Sequence, residues 1–237
     1  MGKDNLFHKN REGRRKRLEN IQKDRQTQWL ILCEGGKTEP YYFDALVKYL
    51  NIGSHKSIDI RTCGEGTSTT NLVNRAKDYF TYFDNLYGSM YIPYEKIIFV
   101  FDRDSFGAGE FNKAISMAHR VYPDSIIAWS NESFELWLCL HFEYITSALP
   151  RQQYNDKLTA LFRRHGIYSI KQNYDENGKN DPGLFKKIIN CGGTLEQAIR
   201  NAERLTSNKT LYNPAKANPA TMVFEAVKVL VNESTRS

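Results

Sequence analysis

Acidic side chains follow two apolar segments of this chain, at the points where two strands are expected to end. Glu34 comes directly after the apolar run 29–33, and Asp102, with Asp104 two residues later, follows the run 97–101. The carboxyl ends of neighbouring parallel strands border the crevice in which open α/β sheets bind ligands. Clustered carboxylate oxygens suit Mg²⁺ or Mn²⁺. The pattern predicts metal-assisted chemistry on a phosphoryl group.

The loop after Glu34 has features of an anion-binding turn. Two glycines let its backbone approach an anion, and Pro40 starts a predicted helix whose free N–H groups favour negative charge. The run Gly36-Lys37-Thr38 is similar to the end of a P-loop, but that motif requires glycine at position 31. The chain has Ile31 there, so the P-loop motif fails.

The Asp102-Arg103-Asp104 triplet has two interpretations. In an extended backbone, side chains two residues apart share a face, so the two aspartates can jointly hold a divalent cation. Alternatively, they cap the turn and the next helix, and Arg103 between them is their salt partner. The presence of Glu34 at the end of another strand favours the metal site.

The elements that must position these acids alternate between strand and helix patterns, which predicts an α/β fold with a mostly parallel sheet flanked by helices. We expect a basic arm over 1–27, an α/β core over 28–145 and a helical C-terminal elaboration over 146–237, with a polar, exposed insertion at 171–182. Strands are predicted at 29–33, 57–62, 95–101 and 125–129, and helices at 69–86, 110–121, 132–144, 151–165, 183–189, 194–205 and 220–231, with another after Pro40.

Composition limits the class of protein. The 237 residues carry a net charge of +6, and the four cysteines are scattered without a CxxC pair. No apolar run is long enough for a signal peptide or a membrane span, so we expect a cytoplasmic protein that does not bind membranes. Residues 1–25 hold nine Lys/Arg against four acids, and this arm either contacts phosphates or is a solvated extension.

Several motifs together resemble a known family. The segments are 33–43 (CEGGKTEPYYF), 101–104 (FDRD), 130–138 (SNESFELWL) and 218–221 (NPAT). In this order, and with the basic arm, they resemble the RloB-like family of bacterial defence proteins. This resemblance implies a Toprim-like core and a Toprim-type nuclease that uses two Mg²⁺ or Mn²⁺ ions and works with an ATPase of the same operon.

The resemblance also implies the site residues. Toprim nucleases carry a glutamate on the first strand, an Asp-x-Asp, a later Ser-x-Glu and a lysine. Ser133 with Glu135 fits the Ser-x-Glu, although Ser130 with Glu132 has the same spacing. We assign the motif lysine to Lys216, and Lys209 is the second candidate. The implied metal ligands are Glu34, Asp102 and Asp104, and the implied catalytic residues are these three with Glu39, Ser133, Glu135 and Lys216. From their charge, and not from the resemblance, we expect nucleic-acid contacts at Arg14, Arg15, Lys16, Arg17, Lys37 and Arg103.

Phosphodiester cleavage needs charge relief at the attacking and the leaving oxygen, which two metal ions can supply. We therefore expect a nuclease acting on DNA or on structured RNA such as tRNA, since basic charge fits both polymers equally. In this scheme Glu34 is a metal ligand or general base, Glu39 and Glu135 hold a second metal or position water, and Lys216 stabilises the pentavalent charge.

Two other functions remain open. One is a non-catalytic nucleic-acid-binding or regulatory subunit of an ATPase-based defence complex. The other is phosphoryl transfer to or from a nucleotide, for which the sequence offers no identifiable nucleobase pocket. The apolar stripe of Phe134, Trp137 and Leu138, together with His141, is interpreted as core rather than as a base-stacking platform.

Overall fold

A five-stranded sheet forms the centre of the molecule. The structure is a computed structural model and describes residues 28–52, 57–62, 70–78, 94–103, 106–207 and 212–235. Runs of apolar residues with no polar face produce the three central strands, as is typical of strands buried on both sides. The strands are β1 (Gln28–Cys33), β2 (Ser57–Thr62), β3 (Lys96–Asp102), β4 (Ile126–Asn131) and β5 (Ala220–Thr221).

The sheet has the order β2-β1-β3-β4-β5. The first four strands are parallel, and β5 pairs antiparallel to β4 at the edge. From β1 the chain passes to β2 on one side, and the later strands continue on the other side of β1. The loops after β1 and β3 therefore diverge at a topological switch point, where sheets of this kind bind ligands.

Helices cover both faces of the sheet. Residues 70–78 are helical and lie between β2 and β3 in the chain. The other α-helices in the described part of the chain are α1 (Thr38–Tyr49), α2 (Ala108–Val121), α3 (Glu135–Leu140), α4 (Arg151–Arg164), α5 (Tyr174–Asn177), α6 (Leu184–Asn190), α7 (Leu195–Ser207) and α8 (Val223–Ser234). A short 3₁₀ helix, Pro214–Lys216, precedes β5.

Alternating side chains of the strands form two cores. On β1, Ile31 and Cys33 face a large core shared with α1, α3 and the later helices. Leu30 and Leu32 face a smaller core shared with 70–78 and α2. Because both faces of β1 are buried, its end is held rigidly, and so is the backbone from which Glu34 departs.

The fold-class prediction is confirmed, with three corrections. The helix predicted over 132–144 is limited to Glu135–Leu140, and the helix predicted from 220 begins at Val223 because Ala220–Thr221 pairs with β4. The insertion at 171–182 is not simply exposed, since α5 lies within it and Tyr174 is fully buried. Within the described ranges, every helix is too short or too polar to cross a membrane.

Candidate functional site

The switch point between β1 and β3 brings the first acidic loop next to the second. Glu34 is the first residue after β1, and its backbone N–H donates to the carbonyl of Val100 on β3 (2.9 Å). Asp102 is the last residue of β3. The two acids therefore depart from adjacent, hydrogen-bonded strands, as the sequence predicted.

The Asp102 carboxylate is held by a backbone amide. It is only 5% exposed. Its Oδ2 accepts a hydrogen bond from the N–H of Phe134, in the turn that leads into α3 (3.0 Å). The Arg151 guanidinium, at the start of α4, lies 4.0 Å from the same oxygen. A buried carboxylate requires such partners, since an ionised carboxylate without them is strongly disfavoured.

Glu135 lies in the same cluster and is more deeply buried, at 1% exposed. Its Oε2 is 3.6 Å from Nε of Arg151, so one guanidinium is shared by Asp102 and Glu135. The hydroxyl of Tyr174 donates to Oε1 of Glu135 (3.4 Å). Burial raises the pKa of Tyr174 well above its ordinary value, and the Glu135 and Glu39 carboxylates raise it further. The hydroxyl is therefore protonated and available as a donor.

Glu39, in the first turn of α1, is the third buried acid of this region. Its carboxylate lies directly over Gly35, where a Cβ atom would come within 2.1 Å of Oε2. The Glu39 carboxylate can keep this position only if residue 35 is glycine, because of the close approach and not because of a left-handed backbone. Glu39 also raises the pKa of Tyr174, after burial and Glu135, so its charge acts on the hydroxyl that donates to Glu135.

Aromatic packing fixes α1, which carries Glu39, against α3, which carries Glu135. The ring of Tyr42 meets Phe134 edge to face at 5.4 Å between centroids, and its hydroxyl is hydrogen-bonded to Nε2 of His141 (3.0 Å). Burial lowers the pKa of His141 to about 3, so the imidazole is neutral. The prediction that His141 and its stripe belong to the core is confirmed, since all four residues are buried.

The structure separates the two Ser-x-Glu triplets that the sequence leaves equivalent. Glu135 shares Arg151 with Asp102, whereas Glu132 is half-buried and accepts from the Asn218 amide (3.5 Å). Ser133 is fully buried, and its hydroxyl has no hydrogen-bond partner among the described residues. The acid that joins the cluster is therefore Glu135.

Arg103 and Lys216 are connected to the end of β4. The guanidinium of Arg103 donates to Oδ1 of Asn131 (3.4 Å). The Asn131 amide donates in turn to the carbonyls of Pro214 and Ala215 (3.0 and 3.1 Å). The 3₁₀ helix that carries Lys216 is thereby anchored at this edge of the sheet. Lys216 itself is exposed, and the described contacts do not join it to the acids.

The remaining predicted residues are exposed or lie outside the described part of the chain. Lys37 is exposed at the start of α1. The second aspartate of the Asp-x-Asp and the basic arm fall outside the described residues, so their predicted roles stay predictions. They are Asp104, Arg14, Arg15, Lys16 and Arg17.

Two residues of the cluster were missed by sequence reasoning. Arg151 follows Pro150 at a predicted helix start, where nothing distinguishes it from any surface arginine. Tyr174 did carry a signal, because it is a lone aromatic residue inside the polar run 171–182. An apolar ring within such a segment indicates an anchor that reaches the core.

The donor set fits a hard divalent cation in its chemistry, since its acids offer only carboxylate oxygens. In the part of the chain that the structure describes, no three His, Cys, Asp or Glu side chains are grouped closely enough to hold a metal ion. Asp104, the second aspartate of the predicted ligand pair, lies outside the described residues. Among the described residues, a guanidinium, that of Arg151, lies beside both Asp102 and Glu135.

Comparison with known proteins identifies one family. A family model described as RloB-like protein matches residues 29–230, which is most of the chain and all of the described strands except the first residue of β1. Searches for similar curated proteins and for similar solved structures return no match.

Proposed function

The chain belongs to the RloB-like protein family, and we propose that it is a metal-dependent nuclease that cleaves DNA or structured RNA such as tRNA. The observation that carries this proposal is the pair of buried acids Asp102 and Glu135, which share the Arg151 guanidinium where β3 ends at the switch point of the sheet. Buried acids are unfavourable for stability unless cations offset their charge. Their burial is explained if the site works on charged groups.

In this proposal Glu34 and Asp102 would hold a divalent cation together with Asp104. A cation bound there would neutralise charge that develops on the phosphate and on the attacking and leaving oxygens. The carboxylates supply hard oxygen ligands, and the N–H of Phe134 fixes the orientation of Asp102. The two-ion arrangement remains part of the proposal, with Glu39 and Glu135 as the acids for the second ion or for a water molecule.

The protein's own cations would bind the substrate around these acids. Lys37 is exposed beside the N-terminal end of the twelve-residue helix α1, where free N–H groups favour a phosphate. Arg103 and Lys216 lie on either side of the Asn131 network at the end of β4. A polyanion that crosses this edge of the sheet would meet these cations and those of the basic arm.

The defence role and the ATPase partner are also proposals, and they rest on family membership. A cleavage activity that requires the product of a neighbouring ATPase gene would support the proposal that this protein works together with that ATPase. An alternative is a non-catalytic nucleic-acid-binding or regulatory subunit, which the pairing of Arg151 with two of the acids favours, since that pairing offsets part of their charge without a metal.

A cleavage assay separates the two. Full-length protein, with and without the ATPase, is incubated with plasmid, single-stranded DNA and total tRNA in Mg²⁺ or Mn²⁺. We expect cleavage by the wild type and a loss of about 100-fold or more in an Asp102→Ala, Asp104→Ala double variant. Asp44→Ala, which removes an exposed acid of α1 that pairs with Lys48, is the control and should retain activity.

Thermal unfolding of each variant verifies that the chain is folded. Asp102→Asn is the conservative substitution, because its amide oxygen can still accept a hydrogen bond from the Phe134 N–H. Absence of cleavage by the wild type in every mixture, or equal cleavage by the double variant, contradicts the nuclease proposal and favours the regulatory subunit.

A further inference from the structure

We infer that Arg151 is the resident counter-cation of the acidic cluster and that a divalent cation must compete with it for Asp102 and Glu135. This inference rests on the proposed function, because it concerns the same acids. It assigns a role to a residue of the C-terminal helical part that no sequence motif indicates. The role is to set the affinity of the site for a metal ion.

The position of the guanidinium is the first argument. It lies 4.0 Å from Oδ2 of Asp102 and 3.6 Å from Oε2 of Glu135, so it bridges two buried carboxylates. Both distances exceed the 2.7–2.9 Å or so of a strong charge-assisted hydrogen bond. Neither contact is a tight charge-assisted hydrogen bond, so a cation with a higher charge density can compete with the guanidinium for both carboxylates.

The location of Arg151 within α4 is the second argument. It is the first residue of this helix, where a positive side chain opposes the helix dipole. No acidic residue occupies the first turn of α4 to offset it. A cation at this position is unfavourable for the helix itself, and the acids across the site account for its placement.

The solvent exposure of the Arg151 side chain is the third argument. The Arg151 side chain is 40% exposed, whereas α4 is anchored from its second turn onward by Tyr154, Leu158 and Phe162. The long arginine stem can therefore swing toward solvent while the helix stays in place. Glu135 does not need to move, because the Tyr174 hydroxyl holds its other oxygen.

The test measures Mn²⁺ binding to the full-length protein without nucleic acid, by titration calorimetry and by the loss of the free-Mn²⁺ electron paramagnetic resonance signal. The two carboxylates are buried, but the Arg151 side chain is 40% exposed, so solvent screens its charge; even at the screening of water, a unit positive charge about 4 Å from the ligand oxygens weakens binding of a divalent ion on the order of tenfold. Arg151→Gln should therefore bind Mn²⁺ roughly tenfold more tightly than the wild type, and Arg151→Lys should remain close to the wild type.

Arg164→Gln is the matched control, since it removes an arginine at the other end of α4 that pairs with Glu143 instead. It should leave Mn²⁺ affinity unchanged, and Asp102→Asn should weaken binding in every background. Thermal unfolding gives a second readout. Without metal, Arg151→Gln should melt below the wild type because two buried carboxylates lose their cation, and Mn²⁺ should raise its melting temperature by more than that of the wild type.

The outcomes distinguish this inference from the nuclease proposal. If the wild type and Arg151→Gln bind Mn²⁺ equally and Asp102→Asn weakens both, the metal site stands and the role of Arg151 is overturned. Tighter binding by Arg151→Gln supports the inference even when no nucleic acid is cleaved. If no variant binds Mn²⁺, both the inference and the metal site are overturned.

Discussion

Replacing Gly35 with alanine tests whether the position of the Glu39 carboxylate matters for function. A Cβ atom at position 35 would lie 2.1 Å from Oε2 of Glu39 and 2.7 Å from its Cδ atom. An ordinary contact needs at least 3.4 Å, so the carboxylate must move by about 3.4 − 2.1 = 1.3 Å. The clash is with the end of a flexible side chain and not with the backbone, so we expect the carboxylate to move and the fold to remain.

The two consequences differ in size. A displacement of about 1 Å at a group that takes part in catalysis can lower the rate on the order of 100-fold. Stability should change by less than about 1 kcal/mol, because Gly35 lacks a positive φ and alanine reduces the entropy of the unfolded chain. A large loss of activity with little loss of stability is therefore the expected signature.

The next glycine provides a matched control, because a Cβ atom at Gly36 would meet nothing within 4 Å. The assay compares initial rates of metal-dependent cleavage and urea unfolding for Gly35→Ala, Gly36→Ala and the double variant Gly35→Ala, Glu39→Asp. The shorter aspartate should restore part of the rate. Equal rates for the two single variants would refute the reasoning, as would a parallel loss of stability and activity in Gly35→Ala.

Two further predictions concern buried polar groups near the site. His141 has a pKa of about 3 in the folded protein and about 6.5 in the unfolded chain. At pH values between about 3 and 6.5 the imidazole is therefore protonated in the unfolded chain and neutral in the folded protein. Stability consequently falls as the pH falls below 6.5. Between pH 7 and pH 5 the free energy of unfolding of the wild type should fall by about 2 kcal/mol because of His141. In His141→Gln, whose amide can still bond to Tyr42, the fall should be smaller by that amount. Urea unfolding at both pH values measures the two falls, and equal values for the wild type and the variant would contradict the role of His141. Tyr174→Phe removes the hydrogen-bond donor to Glu135 and should lower the cleavage rate about tenfold. Tyr168→Phe removes a hydroxyl that has no hydrogen-bond partner among the described residues and should leave the cleavage rate unchanged. Equal rates for the two variants would exclude a positioning role for Tyr174.

Much of the sheet could be predicted because its strands are continuous apolar runs between polar turns. β2 has the predicted bounds Ser57–Thr62, and β3 extends through the predicted strand to Asp102. The strand β5 could not be predicted, since two residues are too few to carry a periodicity. Ala220–Thr221 becomes a strand because it pairs with the end of β4, which is a tertiary contact and not a local preference.

Glu34 and Asp102 were visible in the sequence because they follow strands, and Glu39 and Glu135 because their motifs resemble a known family, but the partners of these acids were not visible. The Tyr174 hydroxyl reaches Glu135 from 39 residues further along the chain. Contacts over such separations depend on how the C-terminal helices pack against α3, where the Asn201 side chain donates to the carbonyl of Leu140 (2.8 Å). Composition alone made the segment 171–182 look like an exposed insertion, although one aromatic ring anchors it in the core.

Glu132 and Glu135 show where prediction of site residues from local sequence fails. Both glutamates follow a serine by two residues, so spacing cannot separate them. The choice depends on where α3 begins, because the turn that presents the Phe134 N–H to Asp102 also turns Glu135 inward toward Arg151. Acids that directly follow strands, such as Asp102, can thus be identified from local sequence, whereas the choice of Glu135 and the cation paired with it are determined by packing. If Arg151 competes with a metal ion as we infer, the affinity of the site for that ion would depend on a helix outside every motif that indicated the site.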